Sequence, residues 1–107
     1  MKILNTYPSG ENLQGLVNAL KEDNRLKSEH LEKSFLKVDR AEFCDDLKTA
    51  YIDHWEEIRF NSRISAPHMH AILLEAVAEN LKPGARVLDV GCGSGILLAY
   101  SYEACDR

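Results

Sequence analysis

Asp89, Gly91, Gly93 and Ser94 lie within a few residues of one another, at the end of the apolar run Val87-Leu88-Asp89-Val90. Alternating Gly91, Gly93 and Gly95 let a backbone turn tightly and approach a ligand where a Cβ would clash. A helix starting near Ile96 aims free N–H groups into that turn. Strand, glycine turn and helix together make the first step of a nucleotide-type site. A dinucleotide fingerprint needs a third small residue at position 96, where Ile96 stands, so the spacing is G-x-G-x-G instead. The other reactive side chains carry less. His68 and His70 are two apart, diverge around a helix and make a poor metal pair. Nothing around Cys92 marks a reactive thiolate, so it reads as a small filler of the turn.

The elements that must position these residues follow from periodicity. Pro8-Ser9-Gly10 is turn chemistry, and Ser9 is placed to cap a helix carrying Leu13, Leu16, Val17 and Leu20. Lys21 to Arg25 reads as a solvated turn. Ser28 is placed to cap a second helix with Leu31, Phe35 and Val38 on one face and Lys27, Glu32, Lys33 and Lys37 in solvent. Asp39-Arg40-Ala41-Glu42 has capping-box spacing and predicts a short helix through Phe43. Residues 45–51 read as irregular, Ala50 to Trp55 as loop or short strand, and Ile58 to Ser65 as an exposed loop or short extended piece. A third helix opens at Ser65-Ala66-Pro67, with Ser65 at the N-cap and Pro67 in the first turn. Its expected core stripe is Met69, Ile72, Leu73, Ala76, Val77 and Leu81, with Glu75 and Glu79 outside. Leu81-Lys82-Pro83-Gly84 ends it. Val87, Leu88 and Val90 then read as a strand buried on both faces of a parallel sheet.

The chain has 107 residues, a formal net charge of -4, 45% hydrophobic and 28% charged residues. One domain is the most it holds. Its mild acidity points to neither a nucleic-acid nor a membrane partner. The start lacks the apolar stretch of a signal peptide, and no run approaches the roughly 20 residues of a membrane span. Cys44, Cys92 and Cys105 form no C-x-x-C pair, so a reducing cytoplasm is the expected compartment. A parallel strand needs partners reached by crossovers of roughly a dozen residues. Only residues 96–107 follow the turn, so the chain is expected to be the N-terminal part of a larger enzyme or a truncated product.

Leu-Asp-Val-Gly-Cys-Gly-Ser-Gly at 88–95 resembles motif I of the Rossmann-like S-adenosylmethionine-dependent methyltransferases. Ile64-Ser65-Ala66-Pro67-His68-Met69-His70-Ala71, at its distance from motif I, resembles the protein-L-isoaspartate (D-aspartate) O-methyltransferase family. The likeness runs from about Leu13 to Leu97 and includes Phe35 to Phe43 and Ala50 to Asp53. It implies an α/β fold: an N-terminal helical part, 1–82, then the first strand-turn-helix of the methyltransferase core, 83–107, its sheet truncated. It implies methyl transfer from S-adenosylmethionine to the carboxylate of isoaspartyl residues in damaged proteins and peptides, by a monomer. By the same match, Ser65 positions the carboxylate. Ser62, Arg63, Ile64, Ser65 and His70 border cofactor and substrate, and Asp89, Gly91, Gly93 and Ser94 form the cofactor turn. No metal is implied. The family usually has small residues where Arg59 and Arg63 stand and proline near Trp55. The ribose-binding acid expected roughly 20 residues past the turn falls beyond Arg107. The alternative is a non-catalytic fragment that acts as a binding module or is inactive.

Overall fold

The structure, a computed structural model, describes residues 10–106. Four α-helices surround one apolar core: α1 (Leu13–Glu22), α2 (Glu29–Lys37), α3 (Pro67–Ala76) and α4 (Ile96–Cys105). A two-stranded antiparallel hairpin, β1 (Glu56–Ile58) and β2 (Ser62–Ile64), lies between α2 and α3 in the chain. In its register Glu56 faces Ile64, Glu57 faces Arg63 and Ile58 faces Ser62.

The first two helices match their expected faces. Leu16, Val17 and Leu20 are buried on α1, and Leu31 and Phe35 on α2. Ser9 lies outside the described residues; the residue that caps α1 is Asn12, whose Oδ1 accepts the Gly15 N–H at 2.8 Å. Ser28 is the N-cap residue of α2, yet its hydroxyl does not cap. Glu75 does that work from α3. Its Oε2 accepts the N–H groups of Lys27 and Ser28 at 2.5 and 2.7 Å, and its Oε1 accepts the Ser28 hydroxyl at 2.6 Å. Burial pushes the Glu75 carboxyl up, but these hydrogen bonds outweigh it and hold it below its ordinary value. Glu75 is therefore a clamp between helices, and the expectation that it faces solvent is corrected.

The main pairing in the core joins α2 to α4. The Phe35 and Tyr100 rings stack 4.1 Å apart, and the Ser34 hydroxyl donates to the Tyr100 carbonyl at 2.6 Å. Asp39 caps the short 3₁₀ turn Arg40–Phe43 by accepting the Ala41 N–H, so the expected short helix is present. The same Oδ1 also takes the Tyr51 hydroxyl at 2.7 Å, which ties the following loop down.

Two expectations fail. The stripe Met69, Ile72, Leu73 and Val77 lies on the exposed side of α3; only Leu81 beyond its end is buried. The buried face is His70, Ala71 and Leu74. An α-helix apolar nearly all round has no periodicity to choose a face, and the packing partner chose. The run Val87 to Val90 is extended but belongs to no sheet, and Leu88 and Val90 are 88% and 87% exposed. A strand exists by its ladder, and no other described segment pairs with this one.

Candidate active site

Three loops converge on one open cleft of about 630 Å³. One wall is the end of the 3₁₀ turn and the residues after it, with Glu42, Cys44 and Asp45. The facing wall is the hairpin, with Ile58, Arg59, Phe60 and Ser62. Gly93 and Ser94 of the glycine turn complete it. The volume lies within the range of small-molecule sites.

The glycine turn is held against the hairpin. A Cβ built on Gly93 would fall 3.4 Å from the Arg63 carbonyl oxygen, an ordinary contact distance, and φ there is +53°, so a side chain would be strained. Gly95 has φ +85° at the N-cap of α4, the left-handed conformation that lets the helix start straight out of the turn. Around the Cβ positions of Gly91 and Gly95 lies open space, a cradle that a ligand can fill. The Ser94 hydroxyl accepts the Ile96 N–H at 3.3 Å. Asp89 keeps one carboxylate oxygen, Oδ2, buried and without a hydrogen-bond partner among the described residues. It does not brace the turn through that atom, which leaves an acceptor for a ligand donor.

Ser62 thus lines the same cleft as Gly93 and Ser94, with the Arg63 main chain beside Gly93. Ser65 leaves β2 two residues later with an exposed side chain. It is not the N-cap of α3: Ala66 is, and no side chain of its own caps it. The α3 N-terminus is served by the buried Asp53, whose Oδ1 accepts the His68 N–H at 2.7 Å and contacts His68 Nδ1 at 3.0 Å. That frees the Ser65 hydroxyl from any capping duty. Ile64 gives its side chain to the core, 1% exposed, so it can meet a ligand only through its main chain.

His70 is buried in the core, 3% exposed and 6.0 Å from the Tyr100 ring. Burial, helped by the nearby Arg40 and His68 charges, lowers its pKa to about 3, so it is neutral under ordinary conditions. Cys44 is the thiol of the cleft. Burial pushes it up to about 11, which makes it a wall residue and a poor nucleophile at neutral pH. Behind it the fully buried Arg40 donates to the His54 carbonyl at 3.2 Å and stands 4.0 Å from Glu56, fixing the start of β1.

Sequence reasoning missed Glu42, Cys44, Asp45 and Phe60, because nothing local marks a residue as one wall of a cleft whose other wall is far along the chain. It also left open what Trp55 does. The Arg63 guanidinium lies over the Trp55 ring, 4.7 Å from its centroid. No group of three or more metal-ligating side chains occurs among the described residues.

Comparison with known proteins agrees with this geometry. Residues 11–106 match the family model described as protein-L-isoaspartate(D-aspartate) O-methyltransferase (PCMT). The chain is 43% identical over 86 residues to protein-L-isoaspartate O-methyltransferase 1 of Arabidopsis thaliana, covering 80% of this chain and 37% of that protein. It is 47% identical over 81 residues to a protein-L-isoaspartate O-methyltransferase of Pyrococcus horikoshii, covering 74% of this chain and 36% of that one. A Plasmodium falciparum protein described as a protein-L-isoaspartate O-methyltransferase, solved in complex with S-adenosyl-L-homocysteine, superposes with a TM-score of 0.83 at 34% identity. That match covers 91% of this chain and 44% of that one. The chain thus spans well under half the length of these relatives.

Proposed function

The chain belongs to the protein-L-isoaspartate(D-aspartate) O-methyltransferase family, and from that premise we propose that it serves methyl transfer from S-adenosylmethionine to the carboxylate of isoaspartyl residues in proteins and peptides. The observation that carries the reading is the shared cleft, lined by Gly93 and Ser94 of the glycine turn and by Ser62 of the strand leading to Ser65. The two parts of the chain divide by role at residue 83. Residues 1–82 supply the acceptor-side wall and 83–107 the turn on the donor side.

S-adenosylmethionine supplies a methyl group on a sulfonium, already a good leaving group. The residues placed to hold it are Asp89, Gly91, Gly93 and Ser94, with Ser62 and the Arg63 main chain opposite. The acceptor carboxylate has an ordinary pKa of about 4 and is anionic at neutral pH, so no general base is needed. What the protein must supply is alignment. The uncommitted Ser65 hydroxyl donates to one carboxylate oxygen and leaves the other free to attack. The N-terminal N–H groups of α4, next to the turn, favour an anion there. We propose that the chain acts as a monomer in the cytoplasm, a compartment that suits the free thiols of Cys44, Cys92 and Cys105. No helix of the described residues is long and apolar enough to cross a membrane.

The test is labelled-methyl transfer to an isoaspartyl peptide, with its aspartyl isomer as control. It is run on the chain and on a chimera carrying residues 11–106 in the Arabidopsis relative. Methylation confined to the isoaspartyl peptide is expected. Equal methylation of both isomers, or none by the chimera, defeats the proposal. In the active form Ser65→Ala is expected to lower kcat/KM about 10- to 100-fold, the worth of one hydrogen bond to a charged group. Ser65→Thr restores part of it.

A further inference from the structure

The cleft has walls of opposite charge, and one ion pair laces them together. Glu42, at the end of the 3₁₀ turn, and Asp45, just after it, stand on one wall. Arg59 stands on the hairpin wall, its Nε 3.4 Å from Asp45 Oδ1. Both partners are solvated, with side chains 80% and 42% exposed. The contact is a single, long, exposed one, of the kind that contributes little and exchanges easily. Beside it the hairpin turn is strained. Phe60 and Asn61 have φ of +62° and +57°, and Phe60, whose bulk disfavours that region, is 95% exposed on the rim of the cleft. A fold that only needed to reverse the chain here would place glycine, as type I′ turns do. An exposed aromatic ring and an easily released guanidinium, side by side on the rim, are the fittings of a peptide-binding lip.

We propose that Arg59 is a specificity-determining residue for the acceptor. It reads an acidic side chain flanking the methylated residue by exchanging its contact with Asp45 for one with the peptide, while Phe60 covers the peptide backbone. The inference rests on the isoaspartyl-methylation reading above and adds to it a preferred acceptor class, isoaspartyl peptides with a neighbouring Glu or Asp. Asp45 is then an internal competitor: it occupies the guanidinium until an acidic acceptor arrives.

The test measures dissociation constants of the chain, by fluorescence anisotropy, for two labelled isoaspartyl peptides that differ only in a flanking Glu or Gln. An ordinary aspartyl peptide serves as control. The Glu peptide is expected to bind about two- to fivefold more tightly, the worth of an exposed ion pair, and the advantage should vanish at high salt. Arg59→Gln is expected to remove the advantage and leave the Gln peptide unchanged, whereas Arg59→Lys keeps part of it. Asp45→Asn is expected to enlarge the advantage, since the competitor is gone; a purely structural ion pair would instead respond alike to loss of either partner. Equal binding of the Glu and Gln peptides, both tighter than the aspartyl control, overturns the acidic preference and leaves the methylation reading standing. Loss of affinity for both peptides in Arg59→Gln overturns it too, by making Arg59 structural. If neither isoaspartyl peptide binds better than the aspartyl control, the preference and the reading under it fall together.

Discussion

The helical layer around Phe35 and Tyr100 and the extended run from Arg86 to Val90 are both apolar in sequence, yet they solve burial differently. In the layer Leu31, Phe35 and Tyr100 are buried in one cluster, and polar groups are matched across elements, as Glu75 does for the α2 N-terminus and Ser34 for the Tyr100 carbonyl. In the run, Leu88 and Val90 project into solvent and the main chain has no ladder. The glycine turn at its end runs straight into α4 and lies beside the Arg63 main chain. The hairpin lip shares this economy. The contrast teaches that the helical layer is a self-sufficient core, whereas the glycine turn gains little from the run that leads into it.

That contrast can be broken first by deletion of matched side chains. Phe35→Ala is expected to cost about 3–5 kcal/mol of unfolding free energy, because it empties the centre of the α2–α4 contact. Leu88→Ala, which removes an exposed side chain, is expected to stay within about 0.5 kcal/mol. Denaturant titration of the two variants checks both; a comparable loss in Leu88→Ala would show that the extended run is part of the core after all.

Acid sharpens the same comparison. His70 sits in the closed layer with its folded pKa lowered from 6.5 to about 3. Between those values the unfolded chain binds a proton that the folded one does not, so stability is complete above about pH 6.5 and falls as pH drops. The slope from this one group approaches about 1.4 kcal/mol per pH unit within the window. Thermal melting across that range, compared with a His70→Gln variant, tests it. The wild type is expected to lose stability more steeply than the variant, and parallel curves would place the proton elsewhere.

The smallest effect belongs to the hairpin lip. Phe60→Gly is expected to raise stability by roughly 0.5–1 kcal/mol, since glycine adopts a positive φ without the Cβ clash that Phe60 pays. A higher denaturation midpoint with an unchanged slope is the expected readout. A lower midpoint would mean that the Phe60 ring packs against something and that the lip is structural.

Much of this was legible in the chain itself. Leu16, Val17 and Leu20 spaced for one helix face, and Leu31 and Phe35 for another, are buried as their periods require. Asp39 announced its 3₁₀ turn, and Gly93 and Gly95 announced a turn that only glycine makes comfortably. The family likeness rested on two peptides; Ser62, just ahead of the first, lines one cleft with Gly93 and Ser94 of the second, while Ser65 is not among the residues lining it. What local sequence could not carry were assignments that depend on a distant partner. Ser65 has the chemistry of an N-cap, yet Asp53, more than a dozen residues away, holds the helix start. Glu75 has the position of a surface acid, yet it closes on Ser28. The α3 stripe of Met69, Ile72 and Leu73 has the period of a core face, yet the opposite face is buried.

By itself, then, the order of residues determined where helices form, where glycine must turn the chain and which family the motifs belong to, because propensity, capping and steric freedom act over a few neighbouring residues. Tertiary structure alone decided which face of α3 is inside, that Ser65 is free while Asp53 is spent, and that Arg59 and Asp45 face each other across a cleft. Those outcomes depend on contacts between segments far apart in the chain, whose energies exist only once the segments have been brought together.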